Sequence, residues 1–399
     1  MHTDFTQTRT LFDLPEGVIY LDGNSLGPLP RGAADRVARV MTEEWGQLLI
    51  RGWNSAGWMD LPARVGDRVG RLIGAEPGSV TMGDTLSVKV YQALASALDL
   101  ADEGRRVVLS DTGNFPSDLY IAEGLLGSLG RGLELRTVAP EAVEDALSDE
   151  IAVLMLTEVD YRTGRLHDMA RLTEKAHALG IVTVWDLAHS AGAIPVDLRG
   201  AGADFAVGCT YKYLNGGPGS PAFIYVAPRH ADRARPALSG WLGHDAPFAF
   251  ERHYRPAAGV SRMRVGTPPI LALAALDAAM DAWEGVAMAD IRAESQRLTQ
   301  RMIALVAEAC PGLALASPAD PAARGSQVSF RHPEGYAVMQ ALIARGVIGD
   351  FRAPDMIRFG VAPLYVTQAD IDRAVAILAE ILDTGAWDRP EFRARAAVT

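Results

Sequence analysis

Two neighbouring segments decide the fold: IVTVWDLAHS at residues 181–190 and DFAVGCTYKYLNGG at residues 204–217. Each begins with a short apolar run, which is typical of a β-strand that is buried on both faces. Each then continues into polar or Gly-rich residues, which predict a loop at the carboxyl end of the strand. Open α/β sheets bind their ligands at that edge. The two segments therefore predict an α/β protein with a site near Asp186 and Lys212.

The same rhythm extends outward through the middle of the chain. Further short apolar runs predict strands at RVVLS (106–110), LELRTV (133–138), IAVLMLT (151–157) and AFIYV (222–226). Amphipathic stretches at Ser117–Leu129 and Met169–Leu179 lie between them and predict helices. Alternating strands and helices predict a mostly parallel central sheet with helices on both faces.

The last third of the chain has a different pattern, in which short strands mix with helices and the regular alternation is lost. This pattern predicts a smaller α+β domain. We expect three parts: an N-terminal segment at 1–50 with an active-site loop and a helix that packs with the small domain, a large domain at 51–286, and the small domain at 287–399. The tail DRPEFRARAAVT (388–399) is predicted to be frayed.

Composition and charge exclude several classes of protein. The net charge is −11 and no basic run stands out, so we expect no nucleic-acid partner. The apolar runs are far shorter than the roughly 20 residues of a membrane span, and the N-terminus has no signal-peptide pattern. The two cysteines, Cys209 and Cys310, form no CxxC pair, so neither a disulfide framework nor a metal site is expected. We predict a cytoplasmic enzyme with no membrane partner.

Lys212 and Asp186 are the residue types that pyridoxal 5'-phosphate (PLP) requires. The lysine amine can bond to the cofactor aldehyde, and the aspartate can keep the pyridine nitrogen protonated. Gly216 and Gly217 follow Lys212 and allow a ligand close to the backbone. The alternatives are a solvated loop lysine and an aspartate that caps a helix.

Three other stretches could complete such a site. In TMGDTLSVKVYQAL (81–94), Leu86 and Ser87 lie where a helix N-terminus could bind phosphate, although ordinary helix capping is the alternative. In DTGNFPSDLY (111–120), Phe115 precedes Pro116 and could lie flat on a pyridine ring. Arg358 lies in an apolar strand and needs an anion, which is either a substrate carboxylate or a salt bridge to Asp350 or Asp355.

Several longer motifs together resemble one family of PLP enzymes. They are LDGNSLGPLP (21–30), NFPSDLY (114–120), WDLAHSAGAIPVDL (185–198), YKYLNGGPG (211–219) and RFGVAPLY (358–365). These motifs resemble the kynureninases, which belong to the aminotransferase class V branch of the fold-type I enzymes. The resemblance covers about residues 20–365, which is nearly the whole chain.

The resemblance implies a role for each matching residue. Lys212, Asp186 and Tyr211 would be catalytic. The cofactor would be bound by Leu86, Ser87, Phe115, Pro116, Ser117, Asp118, Thr157, Asp186, His189, Tyr211 and Lys212. Trp241 and Thr267 would reach the phosphate from a neighbouring subunit, which implies a homodimer with shared active sites. Arg358 would bind the substrate carboxylate, and Ser25 and Trp53 would line the aryl pocket.

The activity that the resemblance implies is hydrolysis of the Cβ–Cγ bond of L-kynurenine to anthranilate and L-alanine, in tryptophan catabolism. 3-Hydroxykynurenine would give 3-hydroxyanthranilate in the same way. The main alternative is a cysteine desulfurase or selenocysteine lyase of the same branch, which needs a nucleophilic cysteine on a mobile loop. The stretch where that loop is expected, ARGSQVSFRHPEG (323–335), contains no cysteine. A non-catalytic relative is disfavoured because Lys212 and Asp186 are both present.

Overall fold

The computed structural model describes residues 2–395, whose strands form three sheets. The first eight strands are β1 (Ile19–Tyr20), β2 (Val80–Met82), β3 (Val107–Asp111), β4 (Glu134–Val138), β5 (Ile151–Thr157), β6 (Val182–Asp186), β7 (Phe205–Gly208) and β8 (Phe223–Val226). Five more follow near the C-terminus: β9 (Ala314–Leu315), β10 (Gln327–Arg331), β11 (Val347–Ile348), β12 (Asp350–Arg352) and β13 (Met356–Gly360).

The helices lie before, between and after these strands. They are α1 (Phe5–Arg9), α2 (Arg31–Arg39), α3 (Gly52–Ser55), α4 (Leu61–Leu72), α5 (Leu86–Leu100), α6 (Pro116–Leu129), α7 (Met169–Ala178), α8 (Leu198–Ala201), α9 (Pro228–Ala231), α10 (Ile270–Ala279), α11 (Met288–Ala309), α12 (Gly335–Ala344), α13 (Gln368–Thr384) and α14 (Pro390–Arg393). Within residues 2–395, no helix combines the length and the apolar character that crossing a membrane requires.

The large sheet has seven strands in the order β2-β8-β7-β6-β5-β3-β4. β8 runs antiparallel to both of its neighbours, whereas the pairs from β7 to β4 are parallel. Val108 and Val153 belong to an apolar cluster with α5 and α6, and Leu109 and Leu154 belong to a second one with α4 and α7. Both faces are therefore covered, because successive residues of a strand point to opposite faces. The predicted α/β fold class is confirmed.

The register of the parallel strands brings three chain segments together at one edge. Thr157 pairs with Asp186, and Asp186 pairs with Val207. The carboxyl ends of β5, β6 and β7 therefore lie side by side, and the loop that contains Lys212 begins there. This is the edge at which the sequence places the site.

A second sheet, in the order β12-β13-β10-β9, is antiparallel and comes from the C-terminal region. The N-terminal strand β1 pairs in parallel with β11 of the same region, and Asp22 forms a bridge with Gly360. The division into parts at 1–50, 51–286 and 287–399 stays a prediction. Helix α14 lies within the tail that was predicted to be frayed, and residues 396–399 of that tail lie outside the described residues.

Candidate active site

Lys212 lies at the centre of a group of side chains beyond the ends of β6 and β7. Its Nζ is 2.9 Å from Nε2 of His189, which follows β6 three residues after Asp186. The same Nζ is 6.0 Å from the ring centroid of Phe115 and 5.9 Å from that of Tyr211. The structure thus brings together four residues that the sequence had placed in one site from separate segments.

The number of lysines strengthens this assignment, and sequence reasoning overlooked it. The chain of 399 residues contains three lysines: Lys89, Lys175 and Lys212. Lys89 is fully buried in α5 and binds Asp84, with 3.0 Å between Nζ and Oδ2. Lys175 lies on the outer surface of α7, where it pairs with Glu144. Lys212 is therefore the one lysine at the edge of the sheet.

Asp186 and Asp118 form a buried pair of carboxyl groups. Burial raises the pKa of both, and the negative charge of Asp186 raises that of Asp118 further. Lys212 and a hydrogen bond from Asp118 act in the opposite direction on the pKa of Asp186. Two adjacent carboxyl groups resist double ionisation, and the pKa of Asp118 is raised further than that of Asp186, which favours Asp118 as the group that keeps the proton.

The amino ends of two helices meet beside this pair. Ser87 lies in the first turn of α5 and Ser117 in the first turn of α6, with 3.0 Å between their hydroxyl oxygens. Thr85, which immediately precedes α5, does not cap the helix with its side chain. The first backbone N–H groups of the helix are therefore available to an anion. Both helix dipoles favour negative charge at this place.

Arg358 on β13 is buried and its guanidinium is held on several sides. Nε donates to Oδ1 of Asp350 at 2.8 Å and Nη2 donates to Oδ2, so the salt-bridge alternative is realised with Asp350. Nη2 also donates to Oγ of Ser25 at 2.9 Å, and Nη1 donates to the carbonyl of Tyr161. Asp355 pairs with a different arginine. These contacts leave one N–H of Nη1 for a further acceptor such as a substrate carboxylate.

Two charged residues next to Arg358 were missed from sequence. Nη2 of Arg352 is 2.8 Å from Oδ2 of Asp350, on the same strand face. Burial, with the charge of Asp350, raises the pKa of Asp22 to about 7. The alternation of Asp350 and Arg352 opposite Arg358 was a usable signal, since antiparallel pairing places them on one face. The position of Asp22 had no such signal.

The N-terminal loop that contains Ser25 is fixed directly onto the lysine loop. The backbone N–H of Gly27 donates to the carbonyl of Tyr211 at 2.7 Å. A Cβ on Gly27 would overlap the carbonyl oxygen of Lys212 and the side chain of Asn215. Only glycine allows this approach, which keeps Ser25 between the lysine loop and Arg358.

Other predicted site residues lie apart from this group within one chain. Trp53 packs edge to face on Trp58 at 5.7 Å between centroids. Trp241 is 42% exposed and packs against Phe248, and Thr267 is also exposed.

The residues present fit PLP. Phe115 is 41% exposed and can offer its ring face, and Oδ2 of Asp118 is buried without a hydrogen-bond partner. Lys212 could supply the amine, Asp186 the carboxylate for the pyridine nitrogen, and the amino ends of α5 and α6 the donors for the phosphate. Thr157 is the neighbour of Asp186 in the strand register.

Solved structures share this fold. A cysteine desulfurase from Escherichia coli matches with a TM-score of 0.78 and 18% identity, over 96% of this chain and 99% of that one. A lysine-to-alanine mutant of the enzyme C-DES, with glycine covalently linked to the PLP cofactor, matches with a TM-score of 0.79 and 18% identity, over 95% of this chain and 99% of that one. The fold and the site together define a fold-type I PLP enzyme.

Similar sequences identify the family within that class. A protein named kynureninase from Pseudomonas fluorescens is 51% identical over 397 residues, which is 98% of this chain and 95% of the relative. One of the same name from Burkholderia pseudomallei (strain 1106a) is 52% identical over 397 residues, with the same two coverages. Residues 291–378 match the model of the kynureninase C-terminal domain. The chain belongs to the kynureninase family.

Proposed function

We propose that this chain is a PLP-dependent hydrolase that cleaves the Cβ–Cγ bond of L-kynurenine, giving anthranilate and L-alanine in tryptophan catabolism. Its 51% identity over 98% of the chain to a protein named kynureninase carries the proposal. The lysine and the carboxylate that such a reaction needs lie at one edge of the large sheet, and the arginine comes from the C-terminal sheet and faces His189 beside the lysine. The ring-hydroxylated substrate, 3-hydroxykynurenine, would react at the same bond.

The protein's residues act on protons and charge around the cofactor, which when bound supplies an electron sink for the substrate carbon. Lys212 would hold the cofactor through its amine, and the same amine, when free, would take the α-proton of the substrate. His189 stays neutral beside it, because burial, together with the charge of Lys212, lowers the pKa of the imidazole well below its ordinary value. Asp186 would supply the carboxylate for the pyridine nitrogen.

Tyr211 is the proposed group that delivers water to the γ-carbonyl of the substrate. The negative charge of a neighbouring Cys209 thiolate would raise the pKa of Tyr211, and burial raises it further, so the hydroxyl keeps its proton. It could therefore serve as a base for water only when another group accepts its proton. The resemblance places the cofactor phosphate beside Tyr211, where the phosphate would supply such an acceptor.

Substrate orientation is assigned to the group around Arg358. Its remaining N–H would bind the α-carboxylate, with the Oγ of Ser25 at the same place. Ser25 and Trp53 are the proposed residues of the aryl pocket. Kynurenine has a γ-carbonyl, one carbon from the position that the cofactor would activate, whereas cysteine has none. A desulfurase would instead need a nucleophilic cysteine on a mobile loop. Cys209 and Cys310 are both buried, and neither lies on an exposed loop.

The active unit is proposed to be a homodimer. Trp241 and Thr267 are exposed in their own chain, and the resemblance implies that they reach the cofactor phosphate in the site of the other subunit. The proposed compartment is the cytoplasm, where free thiols such as the two buried cysteines persist.

The test is product release by the purified, cofactor-loaded protein. L-Kynurenine should give anthranilate, detected by its fluorescence, and L-cysteine should give no comparable rate of sulfide. Lys212→Ala should abolish turnover, and borohydride reduction of wild type should fix the cofactor to Lys212. Lys175→Ala, on the outer surface, is the matched control and should remain active. Rapid sulfide release without anthranilate would refute the proposal.

A further inference from the structure

Two buried polar atoms near Lys212 have no hydrogen-bond partner among residues 2–395, namely Nδ1 of His189 and Oε1 of Gln327. Buried polar atoms are nearly always paired. The two side chains are neighbours, since Gln327 raises the pKa of His189, which burial and the charge of Lys212 lower. Gln327 begins β10 of the C-terminal sheet, so this contact joins the two sheets at the site.

The amide of Gln327 can have only one orientation. Its Nε2 donates to the carbonyls of Asp160 at 3.2 Å and Tyr161 at 3.0 Å. A carbonyl cannot accept from an oxygen that has no proton, so the NH₂ group must be on that side. Gly164 packs against the stem of Gln327, where an added Cβ would be 2.8 Å from Cγ, and this limits rotation. Oε1 is therefore held toward His189 as an acceptor.

An acceptor at that place determines which imidazole nitrogen carries the proton. A neutral histidine with Nδ1–H has its lone pair on Nε2. Nε2 is the atom that lies 2.9 Å from Nζ of Lys212. The opposite tautomer would direct an N–H at the lysine amine and leave Nδ1, buried and without a proton, facing Oε1 of Gln327.

We propose that Gln327 is a positioning residue that fixes the Nδ1–H tautomer of His189 and thereby makes Nε2 a hydrogen-bond acceptor for Lys212. The inference rests on the proposed function of Lys212 and His189. It also connects the two ends of the site, because the carbonyl of Tyr161 accepts from both Gln327 and Arg358. A shift of the C-terminal sheet would therefore change the surroundings of Lys212 and of Arg358 at the same time.

The experiment reads the tautomer directly in the cofactor-loaded protein. ¹⁵N-histidine NMR separates protonated from unprotonated ring nitrogens, and His189→Asn assigns the signals of His189 among the eight histidines. Gln327→Met removes the acceptor with little change in volume. Gln327→Glu retains an acceptor, and Gln340→Met in α12 removes an amide of the same region away from the site.

We expect wild type and Gln340→Met to show Nδ1–H, and Gln327→Met to lose it. The loss should lower kcat about tenfold and change KM less than about threefold, since the lysine is misplaced and the carboxylate site is intact. Wild type with the proton on Nε2, or Gln327→Met with an unchanged tautomer, would overturn the inference while anthranilate release still supports the proposed function.

The conservative variant keeps the test decisive if Gln327→Met does not fold. Gln327→Glu should keep Nδ1–H and let His189 gain its second proton about one pH unit higher than in wild type, because a carboxylate stabilises the imidazolium. The cations that face His189, namely Lys212, Arg352 and Arg358, are unchanged in that variant. A His189 titration identical to wild type would overturn the inference.

Discussion

Asp118 and Asp186 are buried together at the carboxyl ends of the strands of the large sheet. Burial raises the pKa of Asp186 to about 6, while the charge of Lys212, the backbone N–H of Ala188 and a hydrogen bond from Asp118 act to lower it. The proposed role of Asp186 opposite a protonated ring nitrogen needs the carboxylate form, so activity should fall as pH decreases through this pKa. Asp118 is one of the groups that set this acid limit.

Asp118→Ala should move the acid limb of kcat/KM to higher pH by about one unit, because Asp186 loses a donor that stabilises its charge. Asp118→Asn should leave that limb near its wild-type position, because the amide N–H can still donate. The measurement is kcat/KM for L-kynurenine between pH 5.5 and pH 8.5. Equal shifts in the two variants would show that volume, and not the donated hydrogen bond, matters at this position.

The central residues of the site could be predicted because residue type and strand end coincide in the sequence. Asp186 and Lys212 each follow an apolar run directly, and the register joins those runs. Gln327 could not be predicted, because its partners come from segments far away in the chain. Its sequence neighbours look like those of an ordinary strand residue, so only the fold reveals its role.

At the scale of elements, the N-terminal loop docks on the lysine loop through a close backbone contact. Gly27→Ala should destabilise the protein by about 2 kcal/mol and weaken PLP binding, because its Cβ would overlap the carbonyl oxygen of Lys212. Gly32→Ala is the matched control: no atom lies within 4 Å of its Cβ position, and alanine favours a helix. Urea unfolding and cofactor titration measure both. A Gly27→Ala protein as stable as Gly32→Ala would contradict this.

Asp204 lies just before β7, at the amino ends of the parallel strands and therefore opposite the candidate active site. Its carboxylate accepts from the backbone N–H of Thr183 at 2.8 Å and from Nε2 of His177 at 2.8 Å. It also pairs with His230 at 2.7 Å and Arg229 at 2.6 Å. Burial raises the pKa of Asp204, but the bonds from His177 and His230 outweigh it and hold the pKa far below its ordinary value.

Asp204→Asn should lower the free energy of unfolding by about 3 kcal/mol at pH 7, because Arg229 loses its anion and the two imidazoles lose a charged acceptor. A depressed carboxyl pKa gives stability that is complete above the unfolded-state value of about 3.9 and is lost as pH falls toward the folded-state value. The difference between wild type and variant should therefore narrow below pH of about 4. Urea unfolding measures it, with the exposed Asp149→Asn as control. A difference that does not change with pH would refute the role of charge.

Strands of the large sheet could be predicted where their apolar runs are continuous, as in β5 and β6, which lie within one residue of the expected positions. The two-residue strand β1 could not, since it has no periodic pattern of its own. It exists because it pairs with β11 from the C-terminal region, which is a property of the tertiary structure. That pairing carries Ser25 to Arg358.

At the scale of the whole molecule, shared sites make a specific prediction about mixed dimers. Lys212→Ala and Trp241→Ala should each be inactive alone. If the chains pair at random, half of the dimers are mixed and one of their two sites is intact, so mixing should restore roughly a quarter of wild-type activity. Sedimentation and anthranilate release are the measurements. A fully active monomer, or no recovery on mixing, would contradict shared sites.

The small number of lysines has a practical consequence for work on the intact protein. Of the three lysines, Lys89 is fully buried and Lys212 is the residue proposed to bind the cofactor. The side chain of Lys175 is 46% exposed. Apart from the chain's amino terminus, an amine-reactive fluorophore would therefore attach at a single known position on α7. In the proposed dimer, each subunit would carry one such dye. Energy transfer between the two dyes would then report the separation of the subunits in solution, without any engineered cysteine.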